Sequence, residues 1–238
     1  MRKVALFLTT LVFFGCLAIG IYLSNQSSLA SAFQTTPATE VPAPTELTHQ
    51  TNLIFVHVDD LKAPRPALRS LWGFFISLQD PAGVMVTPLL PFASEATQQK
   101  LLSSFRLNEN GSLDSRFTET VRKSLELTFA EYILIDDTGM SLTAQWLSER
   151  GGVPLDVSIA PAETLPEAEQ AFFTAACSAV TTLPPGGPVF IWDEILPDHG
   201  YTNLPFQNAI RMWMTLADPE KPARCEVFYP NRTQDFPE

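Results

Sequence analysis

Residues 52–60 read NLIFVHVDD, a run that is apolar from 53 to 58 except at His57 and ends in two carboxylates. A short apolar run of this length, closed by turn chemistry, reads as a strand of a central sheet. Residues 74–78 (FFISL) and 84–90 (VMVTPLL) supply two more runs of strand length. Pro88 lacks an amide hydrogen and sends the end of the third run to an edge or a turn.

Helical periods alternate with these runs. Leu101, Leu102 and Phe105 follow Ser94, a residue type that caps helix N-termini. Phe117, Val121, Leu125 and Phe129 recur every fourth residue and mark one helix face, leading into a strand at 132–135. Leu142, Trp146 and Leu147 form another face, stopped by Gly151-Gly152. Val153, Leu155, Val157 and Ile159 alternate with smaller or polar residues, the pattern of a half-buried strand. Thr164-Leu165-Pro166-Glu167 is a capping box that leads into a helical face of Ala171, Phe172, Ala175 and Ala176. Residues 188–192 read as a strand, 204–216 as a helix and 225–229 as a closing strand. The order predicts an α/β fold, with α+β as the variant: a central mixed sheet covered by helices on both faces. The runs 53–58, 74–78 and 132–135 share that sheet, and Phe117, Val121 and Leu125 face it.

The chain has 15 basic and 26 acidic side chains, a net charge of −11, which excludes broad electrostatic binding to nucleic acid or to an anionic lipid surface. With 45% hydrophobic residues it has enough apolar material for a core. Residues 4–23 form an uncharged apolar run behind Arg2 and Lys3. About 20 helical residues cross a ~30 Å hydrocarbon layer, and the basic leading end stays in the cytoplasm. A signal anchor over 1–23 follows, with a bacterial single-pass membrane location and the folded part outside the cytoplasm. Cleavage after Ala30-Ser31-Ala32, or lipidation at Cys16, are the alternatives. Residues 24–50, rich in Ser, Thr, Ala and Pro without an apolar period, read as a stalk, and 51–238 as one domain. Cys177 and Cys225 are either a disulfide or two buried thiols, since an extracytoplasmic compartment permits the bond without requiring it.

The densest polar cluster is His57-Val58-Asp59-Asp60, followed by Lys62, Arg65 and Arg69. Carboxylates at a strand end with guanidinium groups nearby suit a metal and a phosphate bound together; the alternative is a loop of solvated charges. Asp198-His199-Gly200, with Asp193-Glu194 nearby, is a weaker acid–base candidate and otherwise a solvated loop.

These residues resemble the LytR-CpsA-Psr family. Residues 52–60 are similar to its opening strand and Gly-x-Asp segment, and Arg69-Ser70 followed by 74–78 looks like its Arg-Ser-Asp-Thr motif and next strand. Residues 84–91 resemble the strand that ends in Pro-Arg-Asp. Glu131 to Asp136, then Leu147, Gly151-Gly152-Val153 and Val157, is similar to its Tyr-strand, helix and Gly-Gly-Val turn. The likeness covers 52 to about 160. It implies an extracytoplasmic domain that binds a polyprenyl-pyrophosphate-linked glycan, with the lipid in an apolar cavity, arginines on the pyrophosphate and carboxylates on Mg²⁺. The reaction implied is transfer of a phosphoglycan to the cell wall.

Asp59 and Arg69 take matching positions and are the catalytic candidates if the chemistry survives; Asp60, Arg65 and Arg69 are the ligand-binding candidates. The family's Gly is His57, its Asp after Arg-Ser is Leu71, Pro-Arg-Asp becomes Pro91-Phe92-Ala93, and its later Arg-rich motif is not found. These departures predict a divergent member that binds a polyprenyl (pyro)phosphate or glycopolymer with weakened or lost phosphotransferase activity. No metal site or cofactor is expected, Mg²⁺ being implied only with the family chemistry. An active glycopolymer phosphotransferase or pyrophosphatase is the alternative. Residues 52–61 also resemble the first strand of sulfatases, but Lys62-Ala63-Pro64-Arg65 supplies no nucleophile where that family needs one.

Overall fold

The computed structural model describes residues 50–90, 93–152, 165–180, 182–183 and 186–229. The described elements all lie within one compact unit, Leu47–Glu238. The apolar run 4–23, the stalk up to residue 49, the strand expected at 153–159 and the capping residue Thr164 fall outside the described residues. Among the described residues no helix is long and apolar enough to cross a membrane.

Strand β1 (Gln50–Val58) runs parallel to β4 (Glu131–Asp136) and antiparallel to β2 (Leu68–Ser77). β3 (Gly83–Leu90) follows β2, with β5 (Gly200–Thr202) and β6 (Arg224–Val227) at the two edges. The described strands form one mixed sheet in the order β5-β4-β1-β2-β3-β6. The three runs expected in one sheet are there, with β1 flanked on both sides. Pro88 stays in β3, opposite Trp72, beyond the last residue that pairs with β6, so its missing N–H faces an open edge.

Side chains alternate across the sheet. On one face Ile54, Val56, Val58, Leu71 and Leu134 pack with Phe117 and Val121. Those two come from α2 (Ser115–Leu125), and Leu101 of α1 (Glu95–Ser104) joins them. Ser94 caps α1 as its sequence suggests, its side chain accepting from the Thr97 amide. Leu125 is partly buried, and α2 ends there because Glu126 turns left-handed at φ 53°. Phe129 therefore continues the apolar spacing but not the helix.

On the other face Phe55, Trp72, Val86 and Ile135 meet α3 (Asp137–Gly151) and α4 (Leu165–Ala179). Gly152 stops α3 at φ 66°, a conformation that glycine adopts without strain.

The strand expected at 188–192 is instead helical. α5 (Gly187–Phe190) runs through a π-helical turn, Ile191–Ile195, into α6 (Leu196–His199). Pro188 and Pro197 each stand in the first turn of a helical segment, where the absent N–H is not missed, and that position outweighs the apolar run. Asp193, Glu194, Asp198 and His199 therefore lie in helical turns rather than in the loop their sequence suggested. α7 (Phe206–Leu216) closes this side and β6 follows it. Cys177 of α4 and Cys225 of β6 form a disulfide, which settles the pairing left open by the sequence.

Candidate functional site

An apolar cavity of about 310 Å³ lies between the sheet and helices α3, α4 and α7. Its wall includes Phe55, Phe74, Ile135, Phe173, Trp213 and Leu216, and among the described residues Thr143 is the only one lining it that bears a hydroxyl. That volume is about twenty times the ~15 Å³ that admits one water, and it falls in the ~300–1,000 Å³ range of ligand sites. Its apolar lining and its size give it the character of a binding chamber.

The same sheet face turns polar at one end. His57 follows Phe55 by two residues in β1, and Ser70 and Trp72 precede Phe74 in β2 at the same spacing. Glu169 enters from α4. His57 and Glu169 are each only 2% exposed. His57 Nδ1 lies 2.7 Å from Glu169 Oε1. Ser70 Oγ donates to that same oxygen at 2.7 Å, and Trp72 Nε1 donates to Oε2 at 2.7 Å. Trp72 also packs on Phe173, ring centroids 4.7 Å apart, so the polar knot touches the cavity wall.

His57 Nε2 lies 3.0 Å from Asp137 Oδ1, at ion-pair distance but off the line of a hydrogen bond. The other oxygen of Asp137 accepts from Arg69 Nη2 at 2.8 Å. Burial is the largest single influence on His57 and lowers its pKa, yet the two carboxylates together outweigh it and hold the imidazole above its usual 6.5. Asp137 is likewise opposed by desolvation, and His57 with Arg69 brings it below 3.8.

Asp136, the last residue of β4, caps α3 by accepting from the Gly139 amide at 2.8 Å. Its second oxygen lies 3.3 Å from His199 Nδ1. Two adjacent aspartates thus each hold a histidine at the C-terminal ends of the parallel strands β1 and β4, the end where open α/β sheets bind ligands.

The residues singled out by sequence lie at this end of the sheet, with separate tasks. Asp59 Oδ1 accepts from the amides of Asp60 and Ala67, both at 2.7 Å, and closes the 59–67 loop on itself. Asp60 is exposed and accepts from the Lys62 amide. Arg65 is exposed on the same loop, and Lys62 reaches Asp198 at 3.6 Å. Arg69 is brought to Asp137, while Asp59 turns into its own loop. Leu71 is fully buried in the opposite-face core, where a carboxylate would be costly. Sequence reasoning missed Glu169, Asp137 and the pairing of Asp136. Glu169 carried a signal: it stands on the stripe Leu165, Phe172, Ala176 of an otherwise apolar helix face.

The family's Mg²⁺ does not fit the buried cluster. Both oxygens of Glu169, Asp137 and Asp136 already have partners. Among the described residues no group of three or more His, Cys, Asp or Glu is arranged around a common metal position.

No family model and no curated protein matches the sequence. In fold the chain is similar to TagV of B. subtilis, at TM-score 0.49 and 11% identity over 75% of this chain and 84% of that one. It is similar to TagT bound to LIIa-WTA at TM-score 0.48 and 8% identity, over 76% of this chain and 79% of that one. It is similar to protein gbs0355 of Streptococcus agalactiae at TM-score 0.47 and 9% identity, over 76% and 77%. All three are LytR-CpsA-Psr proteins. Likeness at this level carries no ligand, activity or partner over to the chain.

Proposed function

We propose that this is a divergent LytR-CpsA-Psr-like domain of a bacterial envelope. It is held outside the membrane by residues 1–23 and the stalk, and it binds a polyprenyl (pyro)phosphate or lipid-linked glycopolymer. One observation carries the reading: the apolar cavity and the polar end bearing Arg69 share one sheet face, a shape that suits a long apolar tail with an anionic head. The residue-level likeness over 52–160 supports it independently. The tail lies among Phe55, Phe74, Phe173 and Trp213. Arg69 and the nearby Arg65 and Lys62 face the head, each a charge-assisted donor contributing about 1.5–3 kcal/mol. Metal-dependent transfer is weak or lost, since phosphoryl transfer depends on charge placement and the buried carboxylates are committed elsewhere.

Binding of farnesyl pyrophosphate, followed by tryptophan fluorescence, tests this. Ala176→Phe fills the cavity and is expected to weaken binding at least tenfold without lowering the melting temperature. Arg69→Gln is expected to weaken the pyrophosphate while leaving farnesol unchanged. Equal affinity of both variants and the parent chain would remove the reading.

A further inference from the structure

The Asp136–His199 pair lies beside the site described above, and the proposed ligand reading assigns it no role. Asp136 is 3% exposed, and its carboxylate is fixed at both oxygens, by the Gly139 amide and by His199 Nδ1. His199 is held from the other side as well. β5 pairs Gly200 with Ile135, which sets His199 beside Asp136. A Cβ on Gly139 would lie 3.0 Å from His199 Cβ and 3.0 Å from its carbonyl oxygen, so the glycine is what lets the histidine sit against α3. With Nδ1 engaged, Nε2 is left without a partner among the described residues, on a side chain that is 22% exposed.

The surroundings place this imidazole at the cavity's polar end. Leu196, one helical turn before His199, lines the cavity, as do Ile135 and Met140 on either side of Asp136 and Gly139. The charged groups facing it are Asp136 from β4 and, on its own helix, Asp198 paired with Lys62; Asp137 with Arg69 is the next residue along. A buried carboxylate that fixes one ring nitrogen, with the other nitrogen open beside a candidate anion site, is the arrangement of an acid–base histidine.

We propose that His199, oriented by Asp136, is the acid–base group of a metal-independent cleavage of the bound phosphoanhydride. This rests on the lipid-phosphate reading above and adds a chemistry to it. His199 Nε2 takes the proton of an O–H nucleophile, from water or a sugar hydroxyl, as that oxygen attacks phosphorus. The new P–O bond forms as the anhydride P–O bond breaks. The electron pair leaves on the departing phosphate oxygen, whose charge Arg69 and Lys62 offset, and the proton passes from the imidazolium to solvent. No oxidant or reductant is required.

The test uses the full chain with farnesyl pyrophosphate in EDTA, measuring binding by fluorescence and phosphate release over pH 5–9, with and without a sugar acceptor. The parent chain is expected to release phosphate at a rate that rises with pH. His199→Gln is expected to lose about 100-fold or more in kcat, the scale of general acid–base catalysis, and to lose that pH limb while binding unchanged. Asp136→Asn, which keeps the helix cap, is expected to fall between. Product on the sugar rather than as free phosphate identifies the hydroxyl as nucleophile; free phosphate alone identifies water. Binding without turnover, or a His199→Gln variant of equal rate and pH profile, overturns the role of His199 alone. Absence of binding by the parent chain overturns the ligand reading instead. Thermal unfolding of each variant separates loss of catalysis from loss of fold.

Discussion

Glu169 Oε1 lies 2.7 Å from His57 Nδ1, joining the central strand to a helix 112 residues further along the chain. Both groups are buried, and the carboxylate also takes the hydroxyl of Ser70 and the indole N–H of Trp72. A single side chain of α4 thus closes the polar end of the sheet face that carries the cavity.

Removing that carboxylate leaves three donors unpaired in a dry setting. Glu169→Ala is expected to destabilise the domain by about 3–5 kcal/mol, the cost of breaking a buried ionic network on one side. Glu169→Gln keeps one acceptor and should cost less. Urea unfolding of both variants measures the difference, and equal midpoints would mean that the network contributes little.

The same network sets a pH window. His57 is raised above 6.5, so its contribution is complete below that value and is lost as pH rises through its folded-state pKa. Asp137 is lowered from 3.8, so its contribution is present above that value and is lost as pH falls through its folded-state pKa. Melting temperature should therefore be highest between about 4 and 6.5 as far as these two groups decide it. His57→Asn should flatten the alkaline decline, and melting curves across pH 3–9 check both arms.

Gly139→Ala tests how closely β4, α3 and His199 are fitted. A methyl there would stand 2.6 Å from Ile135 Cγ1 and 3.0 Å from the His199 carbonyl oxygen. Helix propensity favours alanine by about 1 kcal/mol, but overpacking of this kind costs about 1–3 kcal/mol. A net loss of stability is expected in calorimetry, with any turnover reduced as His199 is displaced.

Reduction of Cys177–Cys225 opens a link between residues 48 apart in sequence. Cross-links of that span contribute about 2–4 kcal/mol, mainly by restricting the unfolded chain. Dithiothreitol, or Cys225→Ser, should lower the melting temperature accordingly. Both cysteines line the cavity, so lipid binding should weaken in parallel.

The local layout is legible in the sequence. The continuous apolar run of β1, the four-residue period of Phe117 and Val121, and the caps at Ser94 and Gly152 are readable because neighbours within one or two turns decide them. The sequence misled at 188–192, where an apolar run fits a buried strand or a buried helix equally well and the prolines at 188 and 197 favoured the helix. It also drew attention to one end of the sheet, through His57, Asp59 and Arg69. Which partners those groups have follows from the packing of distant elements. Glu169, Asp137 and His199 lie tens to more than a hundred residues from the groups they engage, and no local period encodes such a distance. A buried charge gains its partner from the packing of strands and helices, so the chemistry at the end of this sheet exists only once α3, α4 and α6 have closed over it.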